Sequence, residues 1–455
     1  MNLFSQLFIG LLIFISPTLF AKQATCLDFS FEPKAIEQHI AAGKYRESHY
    51  PAAGKEIEFS FSPDLSFEQY IQYSYQLIES KNPRAELPCP IYSKTFNQLA
   101  TVNSWPKEPT IAQLIAPFEL AQPDTKKAVL LIHGLTDSPY SYHDLAQFFY
   151  QQGFTVRTLL LPGHGTAPSA LRHVSYRDWQ LAAKYGIERT VRDFDQVYLG
   201  GFSTGGALIF DYFMHKDTID KKIAGLFMWS PASKAKSDMA WLAQYVDYIP
   251  FVDWIDLSMD ADFAKYESFP YNAAAQVHSL MSRIVGENAS SKRKMHDIPL
   301  FLVASEHDQT IETKQTFVLV DEWQQGKVSA NDDPSRFVFY GDKDSIPEAI
   351  QQSISVINPT CETNPLCEKI VDIAHTATTN SPENPHYGVL GQYRNCEHYI
   401  KDIALFSACK TNEGVVKGEL TEENLANIKV MQRLTYNPHY QAMLTSLKGF
   451  IAAIE

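Results

Sequence analysis

The sequence has no run of five or six basic residues, and its 39 lysines and arginines are outnumbered by 52 aspartates and glutamates, which gives a net charge of −13. A positive surface for phosphate backbones is therefore not expected, and a nucleic-acid partner is excluded from the candidate functions. The spacings His-Glu-x-x-His and paired Cys-x-x-Cys are also absent, so no metal site is expected. The chain has no internal repeat or low-complexity tract, so a repeat architecture is not expected.

Charge is absent from the first 21 residues, MNLFSQLFIGLLIFISPTLFA, which form one apolar block. The length of the block and the small Ala21 at its end predict a cleaved signal peptide over residues 1–21, and hence export to the periplasm or the medium. An uncleaved leader would instead associate the chain with a membrane. No lipobox precedes Cys26, so a lipoprotein anchor is disfavoured.

All six cysteines follow this leader, and an even number in an exported chain predicts up to three disulfides. Six cysteines allow many pairings, so proximity in the sequence is the available guide. It favours three pairs: Cys26 with Cys89, Cys361 with Cys367, and Cys396 with Cys409. Buried free thiols are the alternative, which gains weight if the leader is not a signal.

A length of 455 residues, 45% of them hydrophobic, fits one large α/β domain with insertions. We expect an N-terminal extension over residues 22–125, a core over 126–232 and 298–455 that ends in a helical segment, and an insertion over 233–297. The insertion is crowded with aromatic residues: Trp241, Tyr245, Tyr248, Phe251, Trp254, Phe263, Tyr266, Phe269 and Tyr271. They predict a cap over a pocket, or alternatively simple packing of the insertion onto the core.

Apolar runs and helical stretches alternate from residue 126 onward. The unbroken apolar run at 128–132 is typical of a strand buried on both faces of a parallel sheet. Further strands are predicted at 155–160, 196–199, 223–229, 299–304, 336–340 and 369–374, with helices at 142–152, 179–193 and 204–215. Strands joined by such helices predict right-handed crossovers and a mostly parallel, doubly wound α/β sheet.

The strand at 196–199 runs into Gly-Gly-Phe-Ser-Thr-Gly-Gly, which places Ser203 on a sharp turn before a helix. Side chains two residues before and after the serine would collide in such a turn, so glycine is needed at 201 and 205. This pattern is typical of a nucleophile elbow, with Ser203 as the nucleophile. A Gly-rich turn without function is the alternative.

A serine nucleophile needs a base to take its proton and an acid to orient that base. Asp308 and His375 each follow a predicted strand, so both are expected at the carboxyl edge of the sheet, where open α/β sheets bind ligands. The resulting order of serine, acid and histidine is that of the elbow-containing fold. The alternatives are Glu306, Asp342 and Asp344 for the acid and His386 for the base.

The oxyanion that forms at the attacked carbonyl needs fixed N–H donors. The loop His133-Gly134-Leu135-Thr136 follows the strand at 128–132, so the backbone N–H of Leu135 is expected to join that of Thr204 in an oxyanion hole. His133 is expected to be structural, and His164, within a Pro-Gly-His-Gly turn, is expected to be a turn residue.

Four stretches together resemble the α/β-hydrolase superfamily, specifically its monoacylglycerol lipase and carboxylesterase-like branch, which includes serine aminopeptidase-like hydrolases. HGLTDSPYSY resembles the oxyanion loop of that branch, LLLPGHGTAP its Pro-Gly-His-Gly-Thr turn, YRDW its next helix start, and GGFSTGG its elbow. The resemblance covers residues 126–375. It implies Ser203 as nucleophile, Asp308 as acid, His375 as base, and Leu135 with Thr204 as oxyanion donors.

These observations predict an exported serine hydrolase of the esterase or lipase type that cleaves carboxylic esters through an acyl-enzyme and needs no cofactor. The expected partner is a small ester or lipid-like substrate, with a monoacylglycerol and a lysophospholipid among the candidates. A serine aminopeptidase or amidase is one alternative, and a non-catalytic binding protein that keeps the fold is another.

Overall fold

The computed structural model of the protein describes residues 24–27, 49–53, 57–237, 253–285, 293–328, 333–412 and 414–455. The predicted signal peptide over residues 1–21 lies outside these ranges, as do four aromatic residues of the predicted cap: Trp241, Tyr245, Tyr248 and Phe251. Within the described ranges, no helix is both long enough and apolar enough to cross a bilayer.

The α-helices are numbered in chain order over the described ranges. They are α1 Phe67–Lys81, α2 Lys94–Asn103, α3 Ile111–Ile115, α4 His143–Gln151, α5 Tyr176–Asp193, α6 Thr204–Met214, α7 Tyr271–Ile284, α8 Thr313–Gln325, α9 Glu348–Ser353, α10 Ile403–Thr411, α11 Glu422–Asn427 and α12 Tyr440–Ile454. Ser66 and Gln69 begin α1 with a reciprocal capping box.

The strands are β1 Glu119–Leu120, β2 Lys127–Ile132, β3 Thr155–Leu159, β4 Gln196–Phe202, β5 Ile223–Trp229, β6 Trp254–Asp256, β7 Phe269–Pro270, β8 Leu300–Ser305, β9 Arg336–Tyr340, β10 Ser355–Ile357, β11 Val416–Gly418 and β12 Met431–Arg433. Eight of them form one sheet in the order β1-β3-β2-β4-β5-β8-β9-β10, and β1 alone runs antiparallel to its neighbour. The order reverses next to β2, so the predicted doubly wound, mostly parallel α/β sheet is confirmed.

The prediction of a strand at 369–374 is wrong. Within that segment only Ile370 forms an isolated β-bridge, and its partner is Lys417. The edge position beside β9 is taken by β10 instead. Lys369 also has a φ of 62°, a left-handed backbone conformation that is incompatible with an extended strand. The chain therefore reaches His375 as an irregular segment and not along the sheet.

The core lies on both faces of the sheet, as expected for strands buried on two sides. Successive residues of β2 alternate between the faces. Leu130 belongs to the buried cluster that also contains residues of α5, α6 and α8, whereas Val129 and Leu131 belong to the cluster that contains residues of α4 and α12. Phe450 of α12 lies 5.8 Å, centroid to centroid, from Phe227 of β5. Burying such a ring stabilises the fold by roughly 2–3 kcal/mol.

The segment before residue 126 is built into the core. Its strand β1 pairs with β3 at the sheet edge, and the Tyr70 hydroxyl donates to the carbonyl oxygen of Leu160 at 2.8 Å. Asn82 donates to the carbonyl of Gly165 at 2.9 Å. These bonds hold the Pro-Gly-His-Gly turn from the side of the extension.

The segment after residue 395 contains α10, α11 and α12, as the helical expectation requires, but it also forms a small parallel sheet from β11 and β12. Sequence patterns do not show strands this short, since three residues carry too little periodicity. The pair of strands lies next to the segment that leads to His375, through the bridge between Ile370 and Lys417.

The structure pairs all six cysteines as proximity in the sequence predicted: Cys26 with Cys89, Cys361 with Cys367, and Cys396 with Cys409. Their Cα–Cα separations are 5.0, 5.5 and 6.0 Å, within the range that disulfides require. The first disulfide spans 63 residues and fastens the start of the described chain to the extension.

Peptide mapping of non-reduced protein recovered from the cell envelope or medium should therefore find these three linked pairs. Each pair should disappear on reduction, which serves as the control for assignment. Six alkylatable thiols in the unreduced protein would contradict both the pairing and the inferred oxidising compartment.

Candidate active site

The elbow at Ser203 joins the end of β4 to the start of α6. Ser203 has a φ of 51° and a ψ of −115°, a backbone conformation that costs energy for any residue with a side chain. A Cβ at Gly201 would lie 2.4 Å from the nitrogen of Gly206, and a Cβ at Gly205 would lie 1.8 Å from the carbonyl oxygen of Ile132. Both glycines are therefore required by backbone contact, as the sequence predicted.

Three predicted site residues meet at this turn. His375 Nε2 lies 3.0 Å from Ser203 Oγ, and His375 Nδ1 lies 2.6 Å from Asp308 Oδ2. The exposed fractions are 7% for Ser203, 3% for Asp308 and 3% for His375, so the three side chains are screened from bulk water. An imidazole held between a hydroxyl and a carboxylate can accept the hydroxyl proton and remain oriented while it is charged.

The Asp308 carboxylate is fixed by the loop that follows β8. Its other oxygen, Oδ1, accepts the backbone N–H groups of Thr310 at 2.7 Å and Ile311 at 2.8 Å. One carboxylate oxygen is thus held by the backbone, and the other is left to accept the N–H of His375.

His375 is held without a strand beneath it. The Ser305 hydroxyl donates to the carbonyl of Ile373 at 2.7 Å, and the backbone N–H of His375 donates to Glu419 Oε2 at 3.0 Å. The imidazole also packs on the ring of Phe202, with centroids 5.0 Å apart. Hydrogen bonds to side chains of distant segments therefore replace the sheet ladder that the sequence analysis expected.

The alternative acids are engaged elsewhere. Glu306 Oε2 accepts the backbone N–H of Asp342 at 2.7 Å, and the Asp342 carboxylate accepts the N–H of Asp344 at 2.9 Å. None of these three carboxylates contacts His375 in the described part of the chain.

The alternative base, His386, is fully buried and forms a separate pair: its Nε2 lies 2.9 Å from Asp262 Oδ1. The Tyr387 hydroxyl donates to the other oxygen of Asp262 at 2.7 Å. Burial alone would raise the pKa of Asp262, but His386 nearby outweighs it and holds that pKa below the usual range. His386 thus binds a carboxylate that does not belong to the Ser203 site.

The predicted oxyanion donors lie on adjacent elements, since β2 and β4 are neighbours in the sheet. Leu135 follows β2, Thr204 is the first residue of α6, and both line the same cavity as Ser203. The N-terminus of a helix carries partial positive charge, which favours a developing negative oxygen beside Thr204.

His133 and His164 are hydrogen-bonded next to the loop that follows β2. His133 Nε2 accepts the N–H of Leu161 at 3.0 Å, and His164 Nε2 accepts the N–H of Thr136 at 3.1 Å. Burial lowers the pKa of both, to about 4 for His164 and well below the usual value for His133. Both imidazoles are therefore neutral hydrogen-bond acceptors of the scaffold.

A cavity of about 820 Å³ opens above Ser203. Its apolar lining includes Leu135, Ile255, Phe269, Tyr271, Val277, Met281 and Ile311. Its polar lining includes Asp137, Asp256, Lys265, Glu267, Asn395, Glu397, His398 and Arg433. Much of the wall comes from the chain between β5 and β8. The cavity is large enough for an acyl chain together with a polar group.

Three acidic groups on this wall have raised pKa values. Burial, together with Glu397 nearby, raises the pKa of Glu267 to about 8, and burial also raises the pKa of Glu397. Burial raises the pKa of Asp137, on the oxyanion loop, to about 6. The wall is consequently less negative at neutral pH than its residue types indicate.

One group in the described ranges brings three possible metal ligands together, namely Cys361, Cys367 and His439, whose ligand atoms lie within 4.8 Å of one another. The two sulfurs are joined in a disulfide, which leaves no thiolate for a metal.

The sequence analysis missed Glu419 and its partner Arg433. Glu419 is fully buried and contacts the backbone of His375 across 44 positions of the sequence. No motif marks either residue, because they are placed by the short strands β11 and β12 and not by a recognisable pattern.

Residues 123–331, somewhat under half of the chain, match the family model described as "Serine aminopeptidase, S33". A thermostable monoacylglycerol lipase from a Bacillus species is 32% identical over 80 residues, which are 18% of this chain and 32% of the lipase. This chain thus covers about a third of that relative's length. A carboxylesterase from Bacillus subtilis is 23% identical over 201 residues, which are 43% of this chain and 78% of the esterase.

Among solved structures, the monoacylglycerol lipase of Paleococcus ferrophilus aligns with 52% of this chain and 94% of its own chain, at 20% identity and a TM-score of 0.39. The monoglyceride lipase of Saccharomyces cerevisiae, solved as a soluble variant with a substrate analogue, aligns with 50% of this chain and 82% of its own, at 13% identity and a TM-score of 0.39.

The matched family region begins just before β2 and ends beyond β8, so it contains the oxyanion loop, the elbow and Asp308. The sheet order and the position of the elbow between β4 and α6 are those of the fold that the motifs indicated. The core of this chain therefore has the α/β-hydrolase fold, and its sequence is similar to the monoacylglycerol lipase and carboxylesterase-like branch of that superfamily, which includes the serine aminopeptidase-like hydrolases.

Proposed function

We propose that the protein is a serine hydrolase that cleaves carboxylic esters, of the esterase or lipase type, through an acyl-enzyme on Ser203. The observation that carries the proposal is the continuous chain of contacts from Ser203 Oγ to His375 Nε2, at 3.0 Å, and from His375 Nδ1 to Asp308, at 2.6 Å, beneath an open cavity. Such a chain activates a hydroxyl that is otherwise a weak nucleophile.

In the proposed reaction Ser203 Oγ attacks the ester carbonyl while His375 Nε2 takes the hydroxyl proton. Asp308 keeps the Nδ1 proton in place and stabilises the imidazolium that forms. The imidazolium then protonates the leaving alcohol, and the acyl group remains on Ser203. Water enters, loses its proton to His375 and releases the acid.

The negative oxygen of each tetrahedral intermediate is assigned to the N–H groups of Leu135 and Thr204. The close packing of Gly205 against Ile132 supports this assignment, because it brings the start of α6 next to the end of β2. Fixed donors of this kind lower the barrier by about 3–4 kcal/mol each.

The proposed substrate is a small ester or lipid-like molecule whose acyl chain lies on the apolar lining of the cavity. We assign residues 233–297 to a cap that shapes this pocket, residues 22–125 to an N-terminal extension, and 126–232 with 298–455 to the hydrolase core and its C-terminal segment. The described cap residues Phe269, Tyr271 and Met281 on the cavity wall support the first assignment. The names of the two Bacillus relatives, a monoacylglycerol lipase and a carboxylesterase, support an ester substrate.

We also propose that the mature protein acts outside the cytoplasm, in the periplasm or the medium. The uncharged leader and the three disulfides support export. If the leader is retained, it would hold the enzyme at a membrane surface, close to lipid-like substrates.

An aminopeptidase or amidase activity is the second candidate, favoured by the description of the matching family model. The same triad can form an acyl-enzyme from an amide. An amine is a poorer leaving group than an alcohol, so its departure depends more strongly on protonation by the His375 imidazolium. The two functions are separated by comparing esters with aminoacyl amides of the same acyl group.

Replacing Ser203 with alanine should abolish ester turnover and labelling by an organophosphonate, because only the attacking oxygen is lost. A methyl side chain fits the turn that the serine already adopts, so the fold should remain. Ester hydrolysis, probe labelling and the thermal unfolding midpoint should be measured on the same preparations, with acyl esters of graded length as substrates.

Most of the activity surviving in Ser203→Ala would exclude the mechanism. Turnover of aminoacyl amides at a higher kcat/KM than any ester would replace the esterase assignment with the amidase one. Labelling without turnover of either class would favour a binding protein.

The two histidines can be compared through His375→Gln and His386→Gln, since the amide nitrogen of glutamine approximates the position of Nε2 without acting as a base. The first change should lower kcat by about a thousandfold or more, because the proton acceptor is lost. The second should keep most of the rate per folded molecule, because glutamine can still donate to the buried Asp262. The reverse pattern would transfer the base to His386.

A further inference from the structure

Next to the backbone of His375 lies an ion pair from the C-terminal segment, formed by Glu419 and Arg433. Arg433 Nε donates to Glu419 Oε1 at 2.7 Å, and Arg433 Nη2 donates to Glu419 Oε2 at 3.0 Å. The side chain of Glu419 is 0% exposed and that of Arg433 is 21% exposed. Two parallel hydrogen bonds of this kind fix the relative position of both groups.

Each member of the pair holds a different part of the site. Glu419 Oε2 accepts the backbone N–H of His375 at 3.0 Å, whereas Arg433 Nη2 donates to Thr310 Oγ1 at 3.0 Å. Thr310 is also the residue whose N–H binds Asp308 Oδ1. The pair thus touches the segment that carries the base and the loop that carries the acid.

The small sheet of β11 and β12 places the two groups. Glu419 follows the last residue of β11, Arg433 ends β12, and Gly418 pairs with Arg433 in the register of the sheet. Val371 donates to the carbonyl of Lys417 at 3.0 Å, which ties this sheet to the segment before His375. The orientation of the base therefore depends on residues far along the chain.

The carboxylate remains charged in this position. Burial alone would raise the pKa of Glu419, but Arg433 and the hydrogen bonds from His375 and Leu420 outweigh burial and hold that pKa below its usual range. The pKa of Arg433 is raised by Glu419 against the effect of burial. The two charges therefore compensate each other directly beside the triad.

We propose that Glu419 and Arg433 are positioning residues for the proposed reaction: Glu419 fixes His375 through its backbone N–H, and the pair as a whole keeps the local charge near Asp308 balanced. This inference rests on the assignment of His375 as the base. Loss of either charge would act on the imidazolium. Arg433 also lines the cavity, so its variants are judged by the direction of the pH shift and not by KM. Loss of Glu419 would leave a positive charge that opposes the imidazolium, and loss of Arg433 would leave a negative charge that favours it.

Other titratable groups face the same cavity and must be held constant. They are Asp137, Asp256, Lys265, Tyr266, Glu267, Tyr271, His278, Tyr393, Glu397 and His398. Asp137 interacts electrostatically with His375, and its pKa of about 6 falls within the range of the experiment. Comparing variants under identical salt and buffer conditions isolates the effect of the pair.

The test is the pH dependence of kcat/KM for a soluble acyl ester, measured with Glu419→Gln, Arg433→Gln and the double variant. Glu419→Gln should lower kcat about tenfold to a hundredfold with little change in KM, because the base is displaced. The acid limb of its pH profile, where kcat/KM falls as His375 becomes protonated, should move to lower pH by roughly half to one pH unit. Arg433→Gln should move the limb to higher pH, since three backbone N–H groups still bind the Glu419 carboxylate.

The double variant removes both charges, so its acid limb should return close to that of the wild type while kcat stays reduced. General damage to the fold would not move the limb in opposite directions in the two single variants. The matched control is Glu119→Gln, which removes the negative charge of a carboxylate 2.6 Å from the buried Arg157 at the far edge of the sheet. It should lower the unfolding midpoint and leave the pH profile unchanged.

Single variants that fold, keep the wild-type kcat and show unshifted limbs would overturn the positioning role. If Glu419→Gln does not fold, Arg433→Gln and the double variant decide. The positioning role would be overturned equally if the acid limb of Arg433→Gln did not move to higher pH, or if the acid limb of the double variant did not return close to that of the wild type. A wild-type profile without a Ser203-dependent acid limb would instead contradict the proposed function itself.

Discussion

At the turn between β4 and α6, the backbone of Gly205 approaches β2 so closely that any side chain there would collide with the carbonyl oxygen of Ile132. This contact determines where α6 begins and forces Ser203 into its left-handed conformation. It also places the N–H of Thr204 beside the loop after β2. The position of the nucleophile and the composition of the proposed oxyanion hole follow from this one approach of backbone to backbone.

The proposed base is positioned by different means. His375 follows an irregular segment, and it is held by Ser305, by the ring of Phe202 and by the carboxylate of Glu419. The C-terminal segment supplies that carboxylate and also α12, which covers one face of the sheet. The part of the chain beyond the matched family region thus completes both the core and the surroundings of the base.

The elbow, the parallel strands and the three cysteine pairs could be predicted from sequence, because each depends on local pattern or on proximity. The strand expected at 369–374 was wrong since apolar residues alone do not reveal the left-handed Lys369 or the competing edge strand β10. The Glu419–Arg433 pair has no sequence signal, because its role depends on contacts across 44 positions. The location of His375 was predicted, but the support that holds it was not.

The central claim is that an acyl group passes through Ser203, and trapping that intermediate tests it most directly. A chromogenic ester mixed with excess enzyme should give a burst of alcohol, followed by slower release of acid. Acid quenching during the burst and peptide mass mapping should find one acyl group on the peptide that contains Ser203. An acyl group on another residue, or product formation with no modified Ser203 at any quench time, would contradict the account.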